Sequence, residues 1–252
     1  MREKELIYGL HAVTSLLESG GRVYALWMLD SRHDDRLNRV AELAQKAGVR
    51  VQRVSRDELD RMTQDARHQG VVAEAEGAEL RDEGGLYILL DQLKEPPFLL
   101  VLDGVQDPHN LGACLRSANA AGVHAVIAPK DRSAGLTAVA RKVASGAAEV
   151  TPFFQVTNLA RTLRDLKERN IWFVGLAGEA DQSLYELDLR GPIAIVMGAE
   201  GEGMRRLTKE HCDFLAKIPM GGQVESLNVS VATGVTLFEA LRQRQSKPSK
   251  KK

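Results

Sequence analysis

From Phe98 onward, short apolar runs recur with about one helix length between them, and that rhythm restricts the fold more than any other feature. FLLVLD, HAVIA, IWFVGL, IAIVMG and FLAKI are the runs. Segments this short and this apolar suit strands buried on both faces of a parallel sheet. Parallel neighbours need crossover connections, which helices supply. Helical spacing is present near 111–121, 136–147, 157–169 and 204–211. A last helix is predicted from about Asn228 to Arg244, with Val231, Ala232, Val235, Phe238 and Leu241 on one face. Residues 98–245 are therefore expected to form an α/β domain with a mainly parallel sheet. Ligands of such sheets sit outside the carboxyl ends of the strands.

Upstream, element types also alternate. Leu10–Leu17 has helical spacing, VYALWML reads as a strand, and residues 34–47 form an amphipathic pattern that Gly48 ends as a C-terminal glycine. VRVQRV is a short strand, Ser55 a helix cap for 56–62, and GVVAEA another strand. This predicts a small α/β domain over 1–76. Residues 77–97 are acidic, contain glycine and end in Pro96-Pro97, so they read as a linker with one short helix at 86–93. Residues 246–252 read as a disordered basic tail.

Charge says little about a polyanionic partner. The chain holds 34 basic and 34 acidic side chains. Residues 1–97 carry 14 Lys and Arg against 18 Asp and Glu, a net of −4, and residues 98–252 carry 20 against 16, a net of +4. The two cysteines, Cys114 and Cys212, are far apart and in no metal-ligand spacing, so neither a disulfide framework nor a metal centre is expected. The chain opens on MREKE with no apolar segment behind it, and the expectation is a soluble, cytoplasmic protein.

Three segments, each after a predicted strand, carry more small and polar residues than a connection needs. In LDGVQDPHNLGACLRSANAAG (102–122), Asn110 can start a helix and Arg116 follows two turns in. Gly112 lies in the first turn, where glycine costs about 1 kcal/mol relative to alanine, so close approach of backbone or ligand is the best account of it. In IVMGAEGEGMRR (195–206), three glycines in six positions imply left-handed turns or tight ligand approach. Its spacing fits neither nucleotide-binding glycine loop. In IPMGGQVESLNVSVATG (218–234), Ser226, Asn228 and Ser230 can each cap a helix, but one cap accounts for one of them.

Together, NLGACLRSA, VMGAEGEGM and IPMGGQVESLNVSVATGVTLFEALRQR resemble the SpoU (TrmH) family of S-adenosylmethionine-dependent RNA 2′-O-ribose methyltransferases. IYGLHAV at 7–13 and HQGVVA at 68–73 resemble the N-terminal substrate domain of members that act on guanosine in large-subunit rRNA. The resemblance implies a SPOUT-type catalytic domain with a deep trefoil knot, preceded by a ribosomal-protein-like RNA-binding domain. It implies a homodimer, S-adenosylmethionine as methyl donor, and 23S rRNA or a large-subunit assembly intermediate as partner, modified at a guanosine of the peptidyl-transferase region. By the same resemblance Asn110, Arg116, Glu200, Ser226 and Asn228 are the catalytic set. Met197, Gly198, Ile218, Met220 and Leu227 hold the cofactor, largely through backbone groups. His11, His68, Lys130 and Arg132 are the candidate RNA contacts, and no metal is implied. A tRNA ribose methyltransferase of the same superfamily, or a non-catalytic RNA-binding module, are the alternative readings.

Overall fold

A computed structural model of the chain describes residues 4–18, 20–32, 34–66, 68–76 and 83–246. Residues 77–82 of the expected linker and 247–252 of the expected tail lie outside the described residues. The chain divides into two compact units, Met1–Glu79 with Leu136–Val150, and Leu80–Gly135 with Thr151–Lys252.

The first unit runs β1 (Lys4–Tyr8), α1 (Leu10–Glu18), β2 (Val23–Leu29), α2 (Asp35–Lys46), β3 (Val51–Val54), α3 (Arg56–Thr63) and β4 (Val71–Glu76). Its sheet has the order β1-β4-β2-β3, in which β2 and β3 are parallel and β4 is antiparallel to both neighbours. Asp34 caps α2 by accepting from Leu37 N–H, and Ser55 caps α3 by accepting from Glu58 N–H. These caps satisfy donors that a helix start leaves unpaired. Val13, Leu26, Met28, Leu37, Val40 and Val71 fill the core between helices and sheet. β1, absent from the sequence-based expectation, is a charged, short strand that adds to β4 as an edge.

The second unit begins with α4 (Glu83–Gln92), β5 (Phe98–Asp103), α5 (Pro108–Ala120) and β6 (Ala125–Pro129). Next in the chain come α6 (Ala138–Ala144) and α7 (Ala147–Val150), which cluster with the first unit. Arg141 of α6 is buried there and ion-paired to Glu5 at 2.8 Å, so it is not available as a solvated phosphate ligand. The second unit resumes with β7 (Phe153–Val156), α8 (Leu159–Glu168), β8 (Trp172–Leu176), β9 (Gln182–Ser183), β10 (Ile193–Gly198), α9 (Arg206–His211), β11 (Phe214–Lys217) and α10 (Val229–Gln245). Every pairing in its sheet is parallel, with the order β7-β6-β5-β10-β8-β11-β9. β5 and β10 are buried along nearly their whole length, as strands covered on both faces must be.

Two local expectations are corrected. Asp107, not Asn110, caps α5, because Pro108 sits at the first helical position, where its missing N–H costs nothing. Asn110 therefore lies inside the first turn with its side chain free for tertiary contacts. In α10 the apolar face is not the buried face. Val229, Thr233, Thr236, Leu237 and Ala240 face the core, while Val231 and Phe238 remain half exposed. Thr233 and Thr236 donate to Val229 O and Ala232 O at 2.7 and 2.9 Å, so their hydroxyls are satisfied within the helix and can be buried. Small side chains on this face let α10 lie close against α5, where Cys114 Sγ is 3.5 Å from Thr233 Oγ1. Burial pushes the Cys114 thiol up to about 11.

Candidate active site

Three parallel strands, β8, β10 and β11, end at one cleft of about 330 Å³ in the second unit. That volume is in the range of small-molecule sites. The segment after β8 lines it through Leu176, Ala177, Gly178 and Glu179. The segment after β10 contributes Met197 through Met204, and the segment after β11 contributes Ile218, Met220 and Glu225–Leu227. Val229 and Ala232 of α10 close the remaining side.

The glycines after β10 have separate reasons. A Cβ on Gly198 would lie 2.1 Å from Gly203 C and 2.2 Å from Met204 N, so only glycine fits. Ala199 and Gly203 exchange N–H···O bonds of 3.0 and 2.9 Å, which folds 199–203 into a closed loop. Gly201 and Gly203 supply the left-handed conformations that closure needs, at φ +81° and +71°. The loop is anchored from below by Asp103, the last residue of β5, which has no solvent exposure. Asp103 accepts from Arg205 N–H at 2.8 Å and from Arg205 Nε at 2.6 Å. Lys209 of α9 is ion-paired to Glu179 across the cleft wall, and that partner holds the Glu179 carboxyl below its usual range.

A hydrogen-bonded line of polar side chains starts at the cleft. Asn110 Nδ2 donates to Glu200 Oε2 at 3.3 Å, and Asn228 Nδ2 donates to Asn110 Oδ1 at 3.0 Å. Asn228 Oδ1 in turn accepts from Ser230 N–H and Oγ–H, at 2.9 and 2.6 Å. Asn228 is thus both the cap of α10 and a link to α5. Residues 118 positions apart meet here because α5 and α10 pack together.

Of the expected catalytic residues, Asn110, Glu200 and Asn228 are brought into direct contact, and Ser226 lines the same cleft. Arg116 does not line it. It is exposed on α5 and has no hydrogen bond or ion pair among the described residues. The expected cofactor positions Met197, Gly198, Ile218, Met220 and Leu227 all line the cleft. Of the expected RNA contacts, His11, Lys130 and Arg132 are exposed. His68 is not. It is buried, its Nδ1 accepts from Gly70 N–H at 3.0 Å, and its Nε2 lies 2.8 Å from Asp60 Oδ1. Both ring nitrogens are committed to the fold. Asp103 and Arg205, within two of the singled-out segments but given no role there, join the site, as do Lys209 and residues 177–179, which lie outside those segments. For the last, the signal is the change from apolar run to LAGE at the end of a strand.

Residues 97–238 match the SpoU rRNA methylase family, and residues 6–81 match the RNA 2′-O ribose methyltransferase substrate-binding family. A 23S rRNA (guanosine-2′-O-)-methyltransferase, RlmB, of Pectobacterium atrosepticum is 60% identical over 241 residues, covering 95% of this chain and 98% of its own. Among solved structures, the AdoMet-bound rRNA methyltransferase of Sinorhizobium meliloti aligns with a TM-score of 0.79 at 25% identity, covering 96% of this chain and 88% of its own. The SpoU methyltransferase AviRb of Streptomyces viridochromogenes, in complex with AdoMet, shares the fold at a TM-score of 0.81 and 23% identity, covering 96% of this chain and 90% of its own.

Proposed function

Because the chain belongs to the SpoU rRNA methylase family, we propose that it is an S-adenosylmethionine-dependent methyltransferase acting on the ribose 2′-hydroxyl of a guanosine in 23S rRNA. The observation that carries this reading is the polar line Glu200–Asn110–Asn228, which begins at a cleft walled by the glycine loop and the 218–227 segment. The cleft suits S-adenosylmethionine: Gly198 lets Gly203 and Met204 pack against it to shape the loop that walls the cleft, and Ile218, Met220 and Leu227 add apolar wall. When bound, the cofactor would supply an electrophilic methyl group.

The residues of the chain then have to hold one hydroxyl in line with that methyl. Positioning of two reactants can account for most of the rate. Asn110, Ser226 and Asn228 orient the 2′-hydroxyl, and Glu200 fixes the amide of Asn110. Proton removal adds a general-base contribution of typically ~10²–10⁴-fold. Arg116 is a poor base, because a guanidinium stays protonated, so the 2′-proton is given up to water as the hydroxyl oxygen is methylated. Its assigned role is a two-pronged grip on a phosphate beside the target ribose. His11, Lys130 and Arg132 are exposed cations or donors suited to further RNA contact. The finer assignments are a guanosine of the peptidyl-transferase region, presented on 23S rRNA or an assembly intermediate, a homodimeric enzyme, and a cytoplasmic location. No described helix is long and apolar enough to cross a membrane. The assigned parts are substrate-binding (1–76), linker (77–97) and catalytic (98–245), although α4 of the linker packs into the second unit's core and α6 and α7 cluster with the first unit. A trefoil knot in the catalytic part is assigned on the family resemblance.

Mapping 2′-O-methyl groups in 23S rRNA with and without the protein tests the proposal. One guanosine should lose its methyl group when the protein is absent, and an unchanged map would refute it. Single-turnover methylation by Arg116→Lys tests the phosphate grip. The rate should fall at least tenfold, since lysine keeps the charge and loses the fork. A near-normal rate would remove that role.

A further inference from the structure

The first unit contains its own cleft, of about 620 Å³, at the end of the sheet where β2 and β3 run out side by side. Three arginines line it: Arg32 beyond β2, Arg36 in the first turn of α2, and Arg56 in the first turn of α3. The setting is otherwise acidic, since residues 1–97 sum to −4. Asp60 and Asp65 line the same cleft, so the guanidinium groups that are loosely tied or unpaired, Arg56 and Arg36, are the ones left for an anionic ligand.

The three guanidinium groups are held differently. Arg32 is fixed: its Nε bonds Asp34 at 2.5 Å and its Nη1 bonds Gln69 O at 3.1 Å. Arg56 is loosely tied, 3.7 Å from Asp60 and largely exposed. Arg36 has no ion pair among the described residues. The floor is held at several points. Gln69 adopts a left-handed backbone at φ +56°, gives its carbonyl to Arg32, and uses Oε1 to accept from Leu10 N–H at the start of α1. Asp65 is also left-handed, at φ +60°. Such conformations cost of order 1–3 kcal/mol each outside glycine, and they persist only where the surroundings impose them. Buried His68 bonds Asp60 and accepts from Gly70 N–H, so its ring ties the backbone across Gln69.

We propose that this cleft is a second RNA site, which grips a backbone phosphate of the substrate through Arg36 and Arg56, with Arg32 as the fixed prong. The ligand is a phosphodiester of RNA. Asp65, the carboxylate not paired to an arginine or histidine among the described residues, faces the same space and suits a ribose hydroxyl as donor. His68 then contributes as a positioning residue and not as a contact. The proposal rests on the rRNA reading above, and it places part of substrate affinity in a unit that contains none of the cofactor cleft.

The test is the double substitution Arg36→Gln with Arg56→Gln, both on exposed first-turn positions, and Arg39→Gln as control on the same helix as Arg36, where Arg39 pairs with Glu18. Affinity for a fluorescein-labelled 23S rRNA fragment is read by anisotropy across a salt series, and S-adenosylmethionine affinity by calorimetry. The double variant should bind RNA at least tenfold more weakly. Its plot of log affinity against log salt should flatten by about 0.7 for each phosphate that is no longer neutralised. Cofactor affinity should not move, and Arg39→Gln should match the wild type. Wild-type RNA affinity and salt slope in the double variant would overturn the cleft assignment alone. No RNA affinity in the wild-type protein would overturn the rRNA reading together with it.

Discussion

Gly198 shows how much a single position can decide. Its missing side chain is where the closing end of the loop, Gly203 and Met204, passes, and a methyl group would meet Gly203 C at 2.1 Å. Backbone cannot yield as a flexible side chain can, so Gly198→Ala must push 199–203 outward. Overpacking of this kind costs about 1–3 kcal/mol. S-adenosylmethionine affinity, measured by calorimetry, should drop at least tenfold, and unchanged affinity with unchanged thermal stability would show that the loop is not the cofactor wall. The glycine cluster itself is legible in the sequence, because three glycines after an apolar run have few other uses. The Asn110–Asn228 contact is not, since nothing in a linear pattern specifies which polar pair across 118 residues will meet. His68 misleads for a related reason. A histidine two positions before a glycine looks available until the backbone N–H that occupies its ring is known.

At the scale of elements, the sheet of the second unit is legible wherever an apolar run stands alone between helical stretches. β5 and β10 match their expected bounds. β7 escapes because FFQV is four residues long and lies directly before the helix signal. β9 is two residues and depends wholly on pairing with β11. A different element-level feature, the clamp from β5 to the start of α9, leads to a prediction. Asp103 is fully buried and its carboxylate takes both the backbone and the guanidinium of Arg205. Hydrogen bonds to charged groups are worth about 1.5–3 kcal/mol. Asp103→Asn keeps the shape and removes the charge, so melting should come down by roughly 4–8 °C for a destabilisation near 2 kcal/mol. The slackened loop should raise KM for S-adenosylmethionine more than it lowers kcat. A melting curve and KM equal to wild type would mean the clamp contributes nothing to the cleft.

At the scale of the whole molecule, the half-exposed stripe of α10 and the isolation of Arg116 bear on the same question. Val231 and Phe238 are 50% and 49% exposed, on the face that periodicity alone would have buried. Apolar side chains at helical spacing left in water suit the interface that the proposed homodimer requires. Arg116 is exposed on α5, the helix packed against α10, and it does not reach its own cleft. If two copies pair through this face about a two-fold axis, each can present its arginine at the cleft of the other. Complementation separates the arrangements. Arg116→Ala and Asn228→Ala should each be nearly inactive alone. Mixed and re-equilibrated, half of the dimers are heterodimers, and one of their two sites then combines an intact cleft with an intact arginine from the partner. Activity should recover to about a quarter of the wild-type value. If arginine and cleft act within one chain, both sites of the heterodimer stay defective and nothing is recovered. Sedimentation equilibrium on the same mixtures fixes whether dimers are present, so a negative result from a monomeric protein would be recognised as a failure of the dimer itself.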